Sequence, residues 1–170
     1  MIRCTAMVGL AAALLLPAGT AQAEDKDKEP VLLELGGSGE WGLRDGGASF
    51  GPTAALDIPV IKDWLEIEAG VTPLLSNNRT EWDTGVLFKK PYALSDSVEF
   101  EIGVGAAWLH TTSGGRAADS IGAEAALEFQ IWPWPDRRLG WYVEPSYGYD
   151  FGRGHEQSLG LTMGLLIPIR

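Results

Sequence analysis

The amino-acid sequence predicts an all-β fold, an eight-stranded antiparallel up-and-down transmembrane β-barrel after an N-terminal signal peptide. Three observations carry this expectation. Apolar residues alternate with small or acidic ones along most of the chain: Val98, Phe100, Ile102, Val104, Ala106 and Trp108 are interleaved with Glu99, Glu101, Gly103, Gly105 and Ala107. Large aromatic residues gather where these alternating stretches end. An export signal precedes them all. Period-two patterning gives a strand one apolar and one polar face, and about ten such residues cross a bilayer when tilted.

The export signal is read from its three parts. Arg3 supplies a positive charge, residues 7–16 are apolar, and Pro17 and Gly19 break the run before the small-x-small site Ala21-Gln22-Ala23. The apolar run is too short for a membrane-spanning helix. The expected organisation is a signal peptide at 1–23, a flexible charged leader at 24–30 and a β-barrel domain at 31–170. A chain of this size is one domain.

The eight strands are expected at 31–41, 50–60, 64–75, 81–89, 98–110, 121–131, 141–151 and 158–169. The first has Val31, Leu33 and Leu35 on its apolar side and Glu34, Gly36, Ser38 and Glu40 opposite. The second sets Ala54, Leu56, Ile58 and Val60 against Thr53 and Asp57, and the third sets Leu65, Ile67, Ala69 and Val71 against Glu66 and Glu68. In the fourth, Trp82 and Phe88 oppose Glu81, Asp83 and Gly85, and Lys89 stands at its end. The fifth is the stretch quoted above. The sixth alternates Ile121, Ala123, Ala125, Leu127, Phe129 and Ile131 with Gly122, Glu124 and Glu128. The seventh keeps its alternation through Pro145, with Tyr147, Tyr149 and Phe151 continuing the apolar face. The eighth sets Leu159, Leu161, Met163, Leu165, Ile167 and Ile169 against Gly160, Thr162 and Gly164.

The connections fall into two sets. Residues 44–49, 76–80, 111–120 and 152–157 are polar or glycine-rich, whereas 62–63, 90–97 and 132–140 are richer in proline and basic residues. With both termini in the periplasm, the first set faces outward from the cell. In the last connection Pro133 and Pro135 cannot donate to a ladder and set a rigid turn. An even strand number closes the sheet and leaves no edge.

Trp41, Trp64, Trp82, Trp108, Trp132, Trp134 and Trp141 are the expected aromatic girdles, because an indole ring favours the headgroup boundary. The opposite faces carry an acidic lining of Glu34, Asp57, Glu66, Glu68, Glu99, Glu101, Glu124, Glu128 and Glu144. Lys89 is the nearest interleaved cation. Inside a narrow lumen these acids must share protons, hold water and counter-ions, or recruit Arg44, Arg79, Arg116 and Arg153.

An inverted arrangement satisfies the same alternation: an exported soluble lipocalin-like barrel, greasy inside around a small apolar ligand. Three features favour lipid. The acidic face lacks the lysines of a solvated surface, its many small residues suit a cramped interior, and the C-terminus carries a familiar pattern. There Thr162, Gly164, Ile167 and Ile169 resemble the terminal signal by which bacterial outer-membrane barrels are recognised for insertion. The isoleucines take the aromatic positions, Pro168 interrupts and Arg170 follows. The eight-strand pattern is similar to the small outer-membrane barrels, a family with narrow-channel, adhesion-linked, structural and lipid-modifying members. That resemblance implies the cell outer membrane as location, and outer-membrane lipid and the barrel assembly machinery as partners.

Composition excludes several classes. The only cysteine, Cys4, lies in the signal, so the exported chain has no disulfide, thiolate nucleophile or sulfur metal site. The formal charge of −10, with no basic cluster, argues against nucleic acid. His110 and His155 are the only histidines, each followed three residues later by a serine. Residues three apart on a strand point to opposite faces, so neither pair meets locally. His155, Glu156 and Ser158 are the candidates for a lipid A-modifying enzyme, the third reading. No catalytic residue, metal ligand or cofactor is assigned. The pairs Glu66/Glu68 and Glu99/Glu101 each place two acids about 7 Å apart on one face, since two strand steps cover that distance. The leading expectation is a structural or surface barrel. Its interior is just filled by side chains, and anything that passes or binds is cationic.

Overall fold

The computed structural model describes residues 29–44, 46–77, 79–152 and 154–169. The signal peptide, most of the charged leader and Arg153 lie outside the described residues.

Among the described residues eight strands follow one another without a helix: β1 (Val31–Gly42), β2 (Ala48–Ile61), β3 (Leu65–Ser76), β4 (Arg79–Ser95), β5 (Val98–Ser113), β6 (Arg116–Ile131), β7 (Gly140–Asp150) and β8 (Gln157–Ile169). Each pairs antiparallel with its neighbours in sequence, and β1 pairs with β8 from Val31↔Ile169 to Gly42↔Ser158. The result is a closed barrel. One rim holds Val31, Ile169 and the β2–β3, β4–β5 and β6–β7 connections, and is called here the terminal rim. The other, the hairpin rim, holds the remaining four connections.

Strand positions follow the alternation, but three strands, β4, β5 and β6, run further than expected and shorten two connections. The stretch 111–120 is a tight hairpin, not a loop. Its ladder continues to Ser113↔Arg116, and only Gly114 and Gly115 turn the chain. Both have positive φ, 55° at Gly114 and 78° at Gly115. A two-residue turn with two positive φ values matches the right-handed twist of its strands. The stretch 90–97 is likewise mostly strand. β4 runs past Lys89 to Ser95, with Tyr92 facing out. Its pairing with β3 ends at Glu66↔Lys89, so Pro91, opposite Glu101 of β5, lies where one side of β4 is free, the kind of edge position that tolerates proline.

The apolar faces point outward and the acidic faces inward. Val104, Trp64 and Trp108 are half exposed or more (59%, 55% and 50%), whereas Asp57, Glu128 and Lys89 are at most 1% exposed. The inverted, lipocalin-like arrangement is therefore not the one adopted.

Small residues make this narrow interior possible. A Cβ built on Gly105, which faces the lumen from β5, falls 1.9 Å from the Val86 carbonyl oxygen of β4. Near the terminal rim Leu32, Trp132, Tyr142 and Leu166 pack into an apolar plug.

Candidate functional site

The lumen is built by inward positions of all eight strands, and its centre is Lys89. β4 carries this side chain inward with Glu81, Asp83, Gly85 and Leu87, two residues apart in turn. Its ammonium contacts Glu68 of β3 and Glu128 of β6, lies 3.0 Å from Glu144 of β7 and reaches 3.8 Å toward Glu101 of β5. Three donors cannot satisfy four carboxylates equally, but they place one positive charge among them. Gln130 Nε2 donates to Glu101 at 2.7 Å. Glu34 stands beside this group, fully buried, with Oε1 unpartnered among the described residues.

The sequence placed Lys89 at a strand end; the structure puts it in mid-strand at the hub of the acids. The parity was readable, since Lys89 continues the inward series of β4. Its reach was not, because pairing across four strands depends on barrel closure.

This hub, with the apolar plug, divides the lumen in two. Toward the hairpin rim lies a cavity of about 480 Å³. Glu34, Glu68, Tyr142 and Glu144 line its deep end, and Glu40, Glu81, Asp83, Glu124, Asp150 and Glu156 stand higher on its walls. Toward the terminal rim lies a second cavity of about 90 Å³, lined by Asp57, Glu66, Glu99, Glu101, Trp132 and Arg137 among others. Lys89 and Glu128 line neither, so they form the partition.

Of the arginines expected to enter the lumen, Arg79 does so. It contacts Glu81 and lies 3.8 Å from Glu156, while the Thr111 hydroxyl donates to Glu81 at 2.5 Å. Arg44 lines the mouth of the large cavity and donates to the Gly154 carbonyl at 2.6 Å, and Arg116 is exposed at the hairpin tip. Arg137 takes a part the sequence did not suggest. It donates to Glu99 at 2.8 Å and packs over the Trp132 ring.

The nine acids of the expected lining all take inward positions. Glu34, Asp57, Glu101, Glu128 and Glu144 are buried, and Glu66, Glu68, Glu99 and Glu124 are partly so. Trp41, Trp64, Trp82, Trp108, Trp134 and Trp141 are exposed on the outside or at a rim. Trp132 is the exception and corrects the girdle expectation. It is 3% exposed, because the strand ends at Ile131 and the chain turns across the barrel mouth, carrying the indole into the plug. Its backbone N–H donates to Ser97 at 2.8 Å, which fixes that turn.

The histidines stand apart from the serines. His110 faces outward beside Trp108 and lies 2.7 Å from Asp119. His155 has positive φ and packs on Tyr149, while Ser158 faces the lumen. Among the described residues no hydrogen bond joins a histidine to a serine.

No family model matches the chain, and no curated protein sequence does. Solved structures do. Neisserial surface protein A (NspA) superposes with a TM-score of 0.65 at 14% identity, covering 82% of this chain and 96% of its own. The chain has the fold of the small eight-stranded outer-membrane β-barrels. Ail, the attachment invasion locus protein of Yersinia pestis, aligns with a TM-score of 0.57 at 13% identity, over 84% of this chain and all of its own. The outer-membrane enzyme PagL aligns at 0.53 and 13%, over 83% of this chain and all of its own. These neighbours share the barrel and differ in what their names say they do, so the fold alone assigns no activity.

Proposed function

We propose that this chain is an outer-membrane barrel with a structural or surface role, exported by residues 1–23 and led by the charged segment 24–30. In this reading the domain 31–170 sits in lipid with its terminal rim toward the periplasm. It is inserted by the barrel assembly machinery. The observation that carries the reading is the combination of an apolar exterior, ringed by tryptophans at both rims, with an interior closed around Lys89. An exterior of this kind in water would expose a continuous apolar surface far larger than soluble monomers tolerate. In lipid it is the required one.

Fractionation tests this directly. The protein is expected in the outer-membrane pellet after a urea wash, with a gel mobility that shifts on boiling. Recovery from the periplasmic supernatant would overturn the proposal.

The closed interior also bears on transport. The cavity at the hairpin rim is lined by many acids and by only Arg44 and Arg79 as cations among the described residues, so it suits small cationic or weakly basic solutes. The partition blocks a continuous water path. Planar-bilayer recordings are expected to show no steady conductance in the wild type, and cation selectivity in any rare openings. Steady anion-selective currents would contradict both statements.

A further inference from the structure

We propose that Asp57, Glu66 and Glu101 form a divalent-cation site, of calcium-ion size, at the terminal end of the lumen. These carboxylates come from β2, β3 and β5, and one oxygen of each lies within 4.8 Å of the others. Ca²⁺ holds oxygen ligands at about 2.3–2.6 Å. Ligands separated by no more than twice that length fit on one coordination sphere, so an ion can be held without moving the backbone.

The second observation is Asp57 itself. It is 0% exposed, and among the described residues neither carboxylate oxygen is satisfied by a well-formed hydrogen bond; what stands beside it is a second acid, the Glu66 carboxyl. Glu101 Oε2 is also buried and without a hydrogen-bond partner. A buried carboxylate left without hydrogen bonds or a counter-charge costs several kcal/mol. The neighbouring acids show how the chain otherwise meets that cost, for Glu68, Glu128 and Glu144 surround Lys89. Asp57 and Glu66 have no lysine, arginine or histidine nitrogen within 4.0 Å among the described residues. Lys89 approaches only Glu101, at 3.8 Å, and Arg137 is held by Glu99.

The setting suits a hard cation. The three acids line the cavity of about 90 Å³, which has room for waters to complete the coordination shell. Gln130 donates its amide N–H to Glu101, holding that carboxylate in place and leaving the amide oxygen as a further possible donor atom. The site lies on the opposite side of the Lys89 partition from the large acidic cavity, so it does not depend on solute binding there.

The test uses the full barrel, folded in detergent and stripped with EDTA. Calorimetric titration with CaCl₂ is expected to show one ion per chain, with a higher unfolding temperature in Ca²⁺ than in EDTA. Asp57→Asn and Glu66→Gln should each weaken binding at least ~10-fold, because affinity follows the number of charged ligands. Asp83→Asn, in the other cavity, should leave it unchanged. In parallel, Tb³⁺ luminescence excited through Trp132, which lines the same cavity, should be displaced by Ca²⁺ and lost in Trp132→Phe. This second readout needs no change to the acids and decides the matter if their variants fail to fold. No saturable binding, binding that survives Asp57→Asn, or Tb³⁺ emission indifferent to Trp132 would overturn the proposal. Such results would leave a proton shared among the carboxyls as the arrangement in this chamber.

Discussion

Replacing Lys89 with methionine is expected to be among the most damaging single changes in the barrel. The substitution keeps most of the side-chain volume but removes the ammonium that faces Glu68, Glu128, Glu144 and Glu101. Breaking a buried ion pair by deleting one partner costs about 3–5 kcal/mol, because the other charge stays buried without compensation. Several carboxylates are left here, so the upper part of that range applies. The expected results are a lower denaturant midpoint and a smaller heat-resistant fraction on gels. The double variant Lys89→Met/Glu128→Gln should recover part of the loss, since it removes a stranded charge along with the ammonium. A coupling between the two sites is the signature of a direct interaction. Wild-type stability in Lys89→Met alone would show that the hub does not hold the interior together.

The second large effect concerns curvature. Gly105→Ala adds one carbon, yet that carbon would lie 1.9 Å from the Val86 carbonyl oxygen, 2.8 Å from its carbonyl carbon and 2.9 Å from the Leu87 Cα. All three are backbone atoms of the neighbouring strand, so no side chain can swing aside. Overpacking a tight interior costs about 1–3 kcal/mol, and a clash with fixed backbone belongs at or above the top of that range. Gly85→Ala is the matched control on β4, where the nearest atom would be the Ala106 carbonyl oxygen at 3.8 Å. That change should be neutral or slightly stabilising, because alanine loses less backbone entropy than glycine. Equal midpoints for the two variants would refute the curvature argument.

The barrel was legible because its physics is local. Alternation at period two needs only neighbouring residues, and every strand from β1 to β8 turns its greasy face outward and its acidic or small-residue face inward, where that rule puts them. Turn chemistry was read less well. The pair Gly114-Gly115 is a strong hairpin signal, but the polar residues around it carry no apolar alternation, and Thr111 and Thr112 are strand only through their pairing with β4 and β6. Lys89 and Trp132 mark the deeper boundary. One bonds across β3, β6 and β7, and the other enters the lumen because two prolines turn the chain. Neither fact exists until strands distant in sequence are side by side. The meeting of Asp57 with Glu66 and Glu101 was hidden for the same reason, since only the stagger of β2, β3 and β5 brings them to one height.

The joining of β1 to β8 makes the first and last strands depend on each other. A chain that stops before β8 would leave β1 and β7 with open rows of amide and carbonyl groups, each costing several kcal/mol if it met hydrocarbon. Closure by β8 is therefore what completes the backbone hydrogen bonding of both β1 and β7. The thirteen residues of β8, Gln157–Ile169, thus act as a check on length: a copy that lacks them cannot zip shut.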